Sequence, residues 1–342
     1  MAMTEAYLDE AQETGSEGTR AYANRETGCD LYGPEMRFRA EYYPLGFPVQ
    51  IATNSEAVLT AARASWGRWE QRFEIEPIRL QIGVREGGVT CPDRFIVRAY
   101  EHLLVGTADA ENFFVADLMR DTSFMWVTEP VVAQPHYLRH HFLESTALSH
   151  IANRHAAPVH AACVAREGHG VLLCGDSGAG KSTLAFACAR AGWTYVSDDA
   201  SYLAHGREDR QVLGICHSVR LRPEAARFFS EVRGRPLTSR MTGKPSIEIP
   251  TAELPAFQIA SECEANYVVF LNRSAGGEQE LVSYPREASR RYMHRHLNEW
   301  APLRREQLVT VERMMSAHVF ELRYHDLDWA IDRLERMVRE NG

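Results

Sequence analysis

The chain has 342 residues, 45% hydrophobic and 25% charged, the balance of a soluble globular protein long enough for two domains. Its net charge of −8 argues against a broad basic surface for duplex nucleic acid, so an anionic nucleotide needs a local positive site. Seven scattered cysteines without a C-x-x-C pair speak against a disulfide framework or zinc ribbon, and a polar, acidic N-terminus with no run near ~20 apolar residues reads as cytoplasmic, without a membrane span.

Residues 1–34 are rich in Glu, Gly, Thr and Asn with few large apolar groups, the composition of a flexible tail. From Met36 the pattern changes. Phe38, Ala40 and Tyr42 alternate with polar residues as in a strand, and Val49-Gln-Ile-Ala leads into a helix capped by Asn54 or Ser55. Val58, Leu59, Ala62, Trp66 and Trp69 mark its apolar face, and Trp66, Trp69 and Phe73 read as core contacts. Further strands are predicted at Ile78–Val84, Arg94–Tyr100 and Phe124–Val127, giving an α+β unit over residues 35–129.

A second unit, 130–342, begins with a helix over Gln134–Asn153 and a strand over Ala157–Val164. Gly170–Cys174 then reads as a short apolar strand, Lys181–Ala191 as a helix and Thr194–Ser197 as a strand, the order of a nucleotide-binding α/β unit. Later strands fall at Val212–Cys216, Tyr267–Asn272 and Val319–Tyr324. Glu224–Val232 reads as an amphipathic helix, and a charged helix from Asp328 to about Glu340 closes the chain.

Between that first strand and helix lies Gly175-Asp176-Ser177-Gly178-Ala179-Gly180-Lys181-Ser182, with the Walker A spacing of Gly, four residues, then Gly-Lys-Ser. The glycines allow several N–H groups to point inward, and the following helix presents its positive dipole end to phosphates. Lys181 is expected to reach the outer phosphates of ATP, Ser182 to hold Mg2+, and Thr183 to complete the loop. The strand ending Tyr195-Val-Ser-Asp-Asp199 places two carboxylates 23 and 24 residues after Gly175. Parallel pairing would bring them beside the loop, one for the metal and one to take a hydroxyl proton.

Loop, spacing and acid pair together resemble the HPr serine kinase/phosphorylase family, most closely over residues 155–205, and the diverged members that act as lasso-peptide kinases in particular. The resemblance implies an HPr-kinase/PEP-carboxykinase-like catalytic domain of P-loop type, preceded by the smaller α+β unit. It implies an ATP-dependent serine kinase with Asp198 as base, Asp199 with Ser182 at the metal, and His160, fifteen residues before Gly175, assisting. It further implies a protein or peptide acceptor with a Ser or Thr hydroxyl, and association of copies through the catalytic domain. The chain departs from the family at Glu231-Val-Arg-Gly-Arg-Pro236, which lacks the second glycine of the family's Glu-x-Arg-Gly-x-Gly stretch. That departure argues against the phosphorylase reaction and against HPr itself as acceptor. A small-molecule hydroxyl kinase and a non-catalytic ATP-binding switch are the competing readings.

Arg220, Arg222, Arg240 and Lys244 are candidates for extra charge on the triphosphate, with Arg220 and Lys244 preferred. His136, His140 and His141 share helical spacing, but no Glu follows the first His as a zinc protease requires, so they read as core or surface histidines.

Overall fold

The computed structural model describes residues 34–238, 245–273 and 276–341. Nearly all of the expected tail, and with it Arg240 and Lys244, lies outside them. Two large sheets organise the described chain.

The first sheet contains β1 (Phe38–Tyr42), β2 (Val49–Thr53), β3 (Ile78–Arg85), β4 (Ile96–Tyr100), β5 (Leu103–Thr107), β6 (Phe113–Asp117) and β7 (Thr122–Thr128), in the order β1-β2-β3-β7-β6-β5-β4. β2 and β3 are parallel, so the chain must cross over between them, and helix Glu56–Trp66 makes that crossing. Ser55 occupies the helix N-cap position without a side-chain bond. Asn54 is used differently: its amide donates to the Val84 carbonyl at 2.6 Å and accepts the Val84 N–H at 2.7 Å, tying the turn to β3. The helix stops at Trp66, short of Trp69, although both indoles are buried.

Helical backbone runs from 135 to 155 with π-helical stretches at Leu138–Glu144 and Ile151–His155. Leu138, Phe142, Leu143, Ala147 and Ile151 share one buried cluster with Ile51, Leu80, Ile82 and Val127 of the first sheet. The same cluster takes in Tyr202, Ala204 and Leu213 from the second sheet, so apolar packing is continuous across the expected division near residue 130. His136 is exposed, whereas His141 is buried between the rings of Phe95 and Tyr137, where burial holds its pKa down to about 4. Among the described residues no group of three or more His, Cys, Asp or Glu is arranged to hold a metal ion, there or elsewhere, and no helix is long and apolar enough to cross a membrane.

The second sheet is mixed: the loop strand has one parallel and one antiparallel neighbour, where parallel topology was expected to bring the acid-bearing strand beside it. It is built from β8 (Ala156–Val159), β9 (Ala161–Arg166), β10 (His169–Cys174), β11 (Thr194–Ser197), β12 (Ser201–Ala204) and β13 (Gln211–Gly214), and then, past the small hairpin of β14 (Ser218–Leu221) and β15 (Ile247–Pro250), from β16 (Gln258–Ile259), β17 (Glu262–Arg273), β18 (Glu280–Ser283) and β19 (His318–Tyr324). β9 lies between β10 and β11 and is antiparallel to both. Two reversals leave β10 and β11 running in the same direction, so their C-terminal ends emerge on one edge of the sheet. The acids following β11 still arrive beside the loop following β10, but one strand further away.

Helices Lys181–Arg190 and Leu327–Asn341 pack on one face of this sheet, burying Leu184, Phe186, Leu334 and Met337. Helices Arg286–His294 and Ala301–Glu312 cover the other face through Tyr292, Met293 and Val311. The result is a three-layer α/β/α arrangement. The amphipathic helix expected at Glu224–Val232 is replaced by two short 3-10 turns, Pro223–Arg227 and Ser230–Val232. Ala225, Phe229 and Val232 are buried as the pattern asks, but Phe229 is extended and breaks the helix.

Asp121, at the turn into β7, clamps the end of the long helix to the first sheet. Its carboxylate lies 3.4 Å from His150 Nδ1 and 3.1 Å from His155 Nε2, and Ser123 Oγ meets the other nitrogen of His150 at 2.7 Å. Burial alone would raise the Asp121 pKa, but the two histidines outweigh it and hold the carboxyl below its usual range. A depressed folded pKa means stability that is present above the unfolded value and lost as pH falls through the folded one. Asp121→Asn is therefore expected to lower stability by about 1–3 kcal/mol at pH 7. In thermal unfolding, its deficit should shrink as pH falls below about 4, where the unfolded wild-type chain takes up a proton that the folded carboxylate, with its lowered pKa, does not yet bind.

Candidate active site

β10 ends at Cys174, and the chain then makes a loop whose shape depends on positive φ angles at Gly175 (147°), Gly178 (97°) and Gly180 (100°). A Cβ at Gly180 would stand 2.9 Å from the buried Tyr324 hydroxyl, so both conformation and space call for glycine. Ala179 N–H closes the turn on the Asp176 carbonyl at 3.0 Å, and Gly180 precedes helix Lys181–Arg190. Donors of a helix N-terminus therefore face the loop's hollow.

Lys181 is 5% exposed, and its ammonium donates to the Gly175 carbonyl at 2.7 Å and lies 3.0 Å from His160 Nε2. An ammonium has no lone pair, so Nε2 is the acceptor and the imidazole proton sits on Nδ1. That nitrogen is 3.6 Å from Asp199 Oδ1. Burial, then Lys181, lower the His160 pKa against the opposing charge of Asp199, which favours the neutral ring this arrangement needs. Burial lowers the Lys181 pKa too, again opposed by Asp199.

His160 was expected on a continuous strand; it stands in the break between β8 and β9. β8 pairs with β12 and β9 pairs with β10 and β11, so the backbone changes partners at this residue. Tyr292 pins that break to the loop: its hydroxyl lies 2.7 Å from the His160 carbonyl and 2.9 Å from the Gly175 carbonyl, and accepts the Gly175 N–H at 3.1 Å. Ser201 Oγ fixes the other flank, reaching the Ala161 carbonyl at 3.0 Å and Ser197 Oγ at 2.7 Å.

The two neighbouring acids diverge. Asp199 lines a cavity of about 500 Å³ together with His160, Lys181, Ser182 and Thr183, a size suited to a small ligand. Asp198 accepts the Arg220 backbone N–H on Oδ2 at 2.5 Å, and its carbonyl accepts the Ser182 hydroxyl at 3.1 Å. The Asp198 backbone carbonyl thus stands next to the Ser182 oxygen, its carboxylate against the Arg220 N–H, and the Asp199 carboxylate next to the imidazole.

The cations also sort differently from expectation. Arg220 touches the cavity wall, but its guanidinium is engaged by Glu144 at 2.8 Å and Glu248 at 3.2 Å rather than offered to a phosphate. Arg222 is the exposed neighbour, donating to Ser177 Oγ at 3.0 Å on the lip of the loop. Arg273 and Arg227 flank the Phe228 ring at 5.3 and 4.9 Å on the same cavity. Asp176 is exposed and pairs with Arg295 at 3.0 Å. Tyr292, Arg227 and Arg273 carry no local sequence signature, since each reaches the loop from a distant element.

No family model matches the chain, and no curated protein matches it. Among solved structures it is similar to the Hpr(Ser) kinase/phosphatase from Coxiella burnetii, with 13% identity and a TM-score of 0.30 over 54% of this chain and 99% of that one. So loose an overlap carries no argument about residues.

Proposed function

We propose that the chain binds Mg2+–ATP at Gly175–Ser182 and transfers the γ-phosphate to a Ser or Thr hydroxyl of a protein or peptide. The observation that carries this reading is the gathering of Lys181, His160 and Asp199 on one cavity beside a Walker A loop. Phosphoryl transfer asks for positioning and charge neutralisation, and these side chains supply both.

In this reading the loop amides and Lys181 hold the triphosphate, with Arg222 and Arg273 adding charge at the cavity's edge. Ser182 Oγ and the carboxylate of Asp198, the residue whose backbone carbonyl accepts the Ser182 hydroxyl, would offer the oxygen donors that magnesium prefers, and the ion would supply neutralisation of phosphate charge. Asp199, rather than Asp198, is the proton acceptor, because it faces the cavity and contacts His160. The acceptor oxygen bonds to the γ-phosphorus, the bond to the ADP oxygen breaks, and the hydroxyl proton passes to the Asp199 carboxylate. His160, held as the neutral Nδ1–H tautomer, orients that carboxylate.

Incubation with γ-labelled ATP and Mg2+, against separate peptide and metabolite pools, tests the proposal. Label is expected in the peptide pool. Label confined to a metabolite would replace the acceptor class, and tight ATP binding without any labelled product would leave the protein a nucleotide switch.

A further inference from the structure

Arg220 belongs to a closed ring of buried and half-buried charges that reaches from the first sheet's helices to the candidate active site. Arg220 pairs with Glu144 and Glu248, and Arg139 pairs with the same two carboxylates at 3.1 and 3.3 Å. Ser65, on helix Glu56–Trp66, completes it: its hydroxyl lies 2.7 Å from Glu144 and accepts Arg139 Nε at 2.7 Å. Two positive and two negative groups balance, and each carboxylate oxygen has a donor. Burial alone would raise the Glu144 pKa, but Arg220, with His140, Arg139 and Ser65, holds it well below the usual range.

The ring's members come from different parts of the chain. Ser65 lies on the helix crossing between β2 and β3, Arg139 and Glu144 on the 135–155 helix, and Arg220 and Glu248 face each other in register on the β14–β15 hairpin. The backbone of Arg220 is also the donor to Asp198 Oδ2, and the Asp198 carbonyl holds the Ser182 hydroxyl. One side of Arg220 thus grips the helices, and its amide grips the acid beside the loop.

We propose that this ring makes Glu144, Glu248 and Arg139 positioning residues for the nucleotide–metal site, setting Asp198 through the Arg220 backbone. None of the three touches the triphosphate in this account; they act by fixing where Arg220 N–H points. The fixed ring geometry of five side chains is costly to leave half satisfied, so its loss is felt at Asp198 rather than absorbed locally. This inference rests on the proposed ATP site.

The test uses full-length protein and ATP titrated calorimetrically with and without Mg2+, alongside phosphotransfer rate and melting temperature. For Glu144→Gln and Glu248→Gln, metal-free ATP affinity is expected to stay within about twofold of wild type, because the loop amides and Lys181 are untouched. The gain in affinity on adding Mg2+ should fall roughly tenfold, with a comparable drop in turnover at saturating ATP. Arg139→Lys, which keeps the charge but loses the planar fork, should show the same pattern more weakly and covers the case in which a Glu variant does not fold. An unchanged Mg2+ gain and turnover in folded variants would overturn the inference, as would equal losses in metal-free affinity, Mg2+ gain and melting temperature, the mark of a merely structural role. Failure of the wild type to bind ATP would instead sink the underlying site.

Discussion

Asp199→Asn is expected to lower phosphotransfer by roughly 10²–10⁴, the usual contribution of a positioned general base, while ATP affinity changes little. The side chain lies on the cavity wall 3.6 Å from His160 and has no part in forming the loop proposed to hold phosphates. Asn preserves its volume and removes its basicity. The sign of the secondary effect also follows: Asp199 opposes the burial that lowers the Lys181 and His160 pKa values, so losing its charge lowers both further. Rates measured at saturating ATP separate the loss of the base from any loss of binding.

Lys181→Met is expected to remove most ATP affinity and to cut turnover by at least about 10²–10³, the scale of losing one preorganised donor at the developing charge. Its stability should move the other way or not at all. Lys181 is buried, and burial lowers its pKa, so the folded chain carries a desolvation cost there. Removing it leaves the Gly175 carbonyl within reach of the Tyr292 hydroxyl and His160 partly open to water. A melting temperature equal to or above wild type, with ATP binding lost, is the combined signature. A variant that binds ATP normally would show that the loop does not hold phosphates as described.

The sequence carried the loop because Walker A spacing is a local demand on backbone: three glycines with positive φ, then a lysine opening a helix. β1, β3 and the closing helix were legible for a similar reason, each showing a regular apolar period. β5 and β6 escaped notice because Leu103, Val105, Phe113 and Val115 are half buried on the face away from the core, which blurs the alternation. The sheet order around β10 was also hidden, since nothing local says that β9 comes back between β10 and β11.

At the site the same division holds. His160 and the acid pair were singled out by their offsets, and His160 and Asp199 line the cavity, but which acid faces it depends on how β11 turns into β12 beneath Ser201. Arg220 looked like a phosphate ligand because its partners, Glu144 and Glu248, lie 76 and 28 residues away. Tyr292 reaches Gly175 across 117 residues. Contacts of that range leave no spacing to read.

The most direct measurement compares Asp198→Asn and Asp199→Asn in transfer of label from ATP to the acceptor at saturating nucleotide and Mg2+, with ATP affinity determined in parallel. The expected result is that Asp199→Asn binds ATP like the wild type and loses transfer, whereas Asp198→Asn weakens the Mg2+-dependent part of ATP affinity. Full transfer by Asp199→Asn would contradict it.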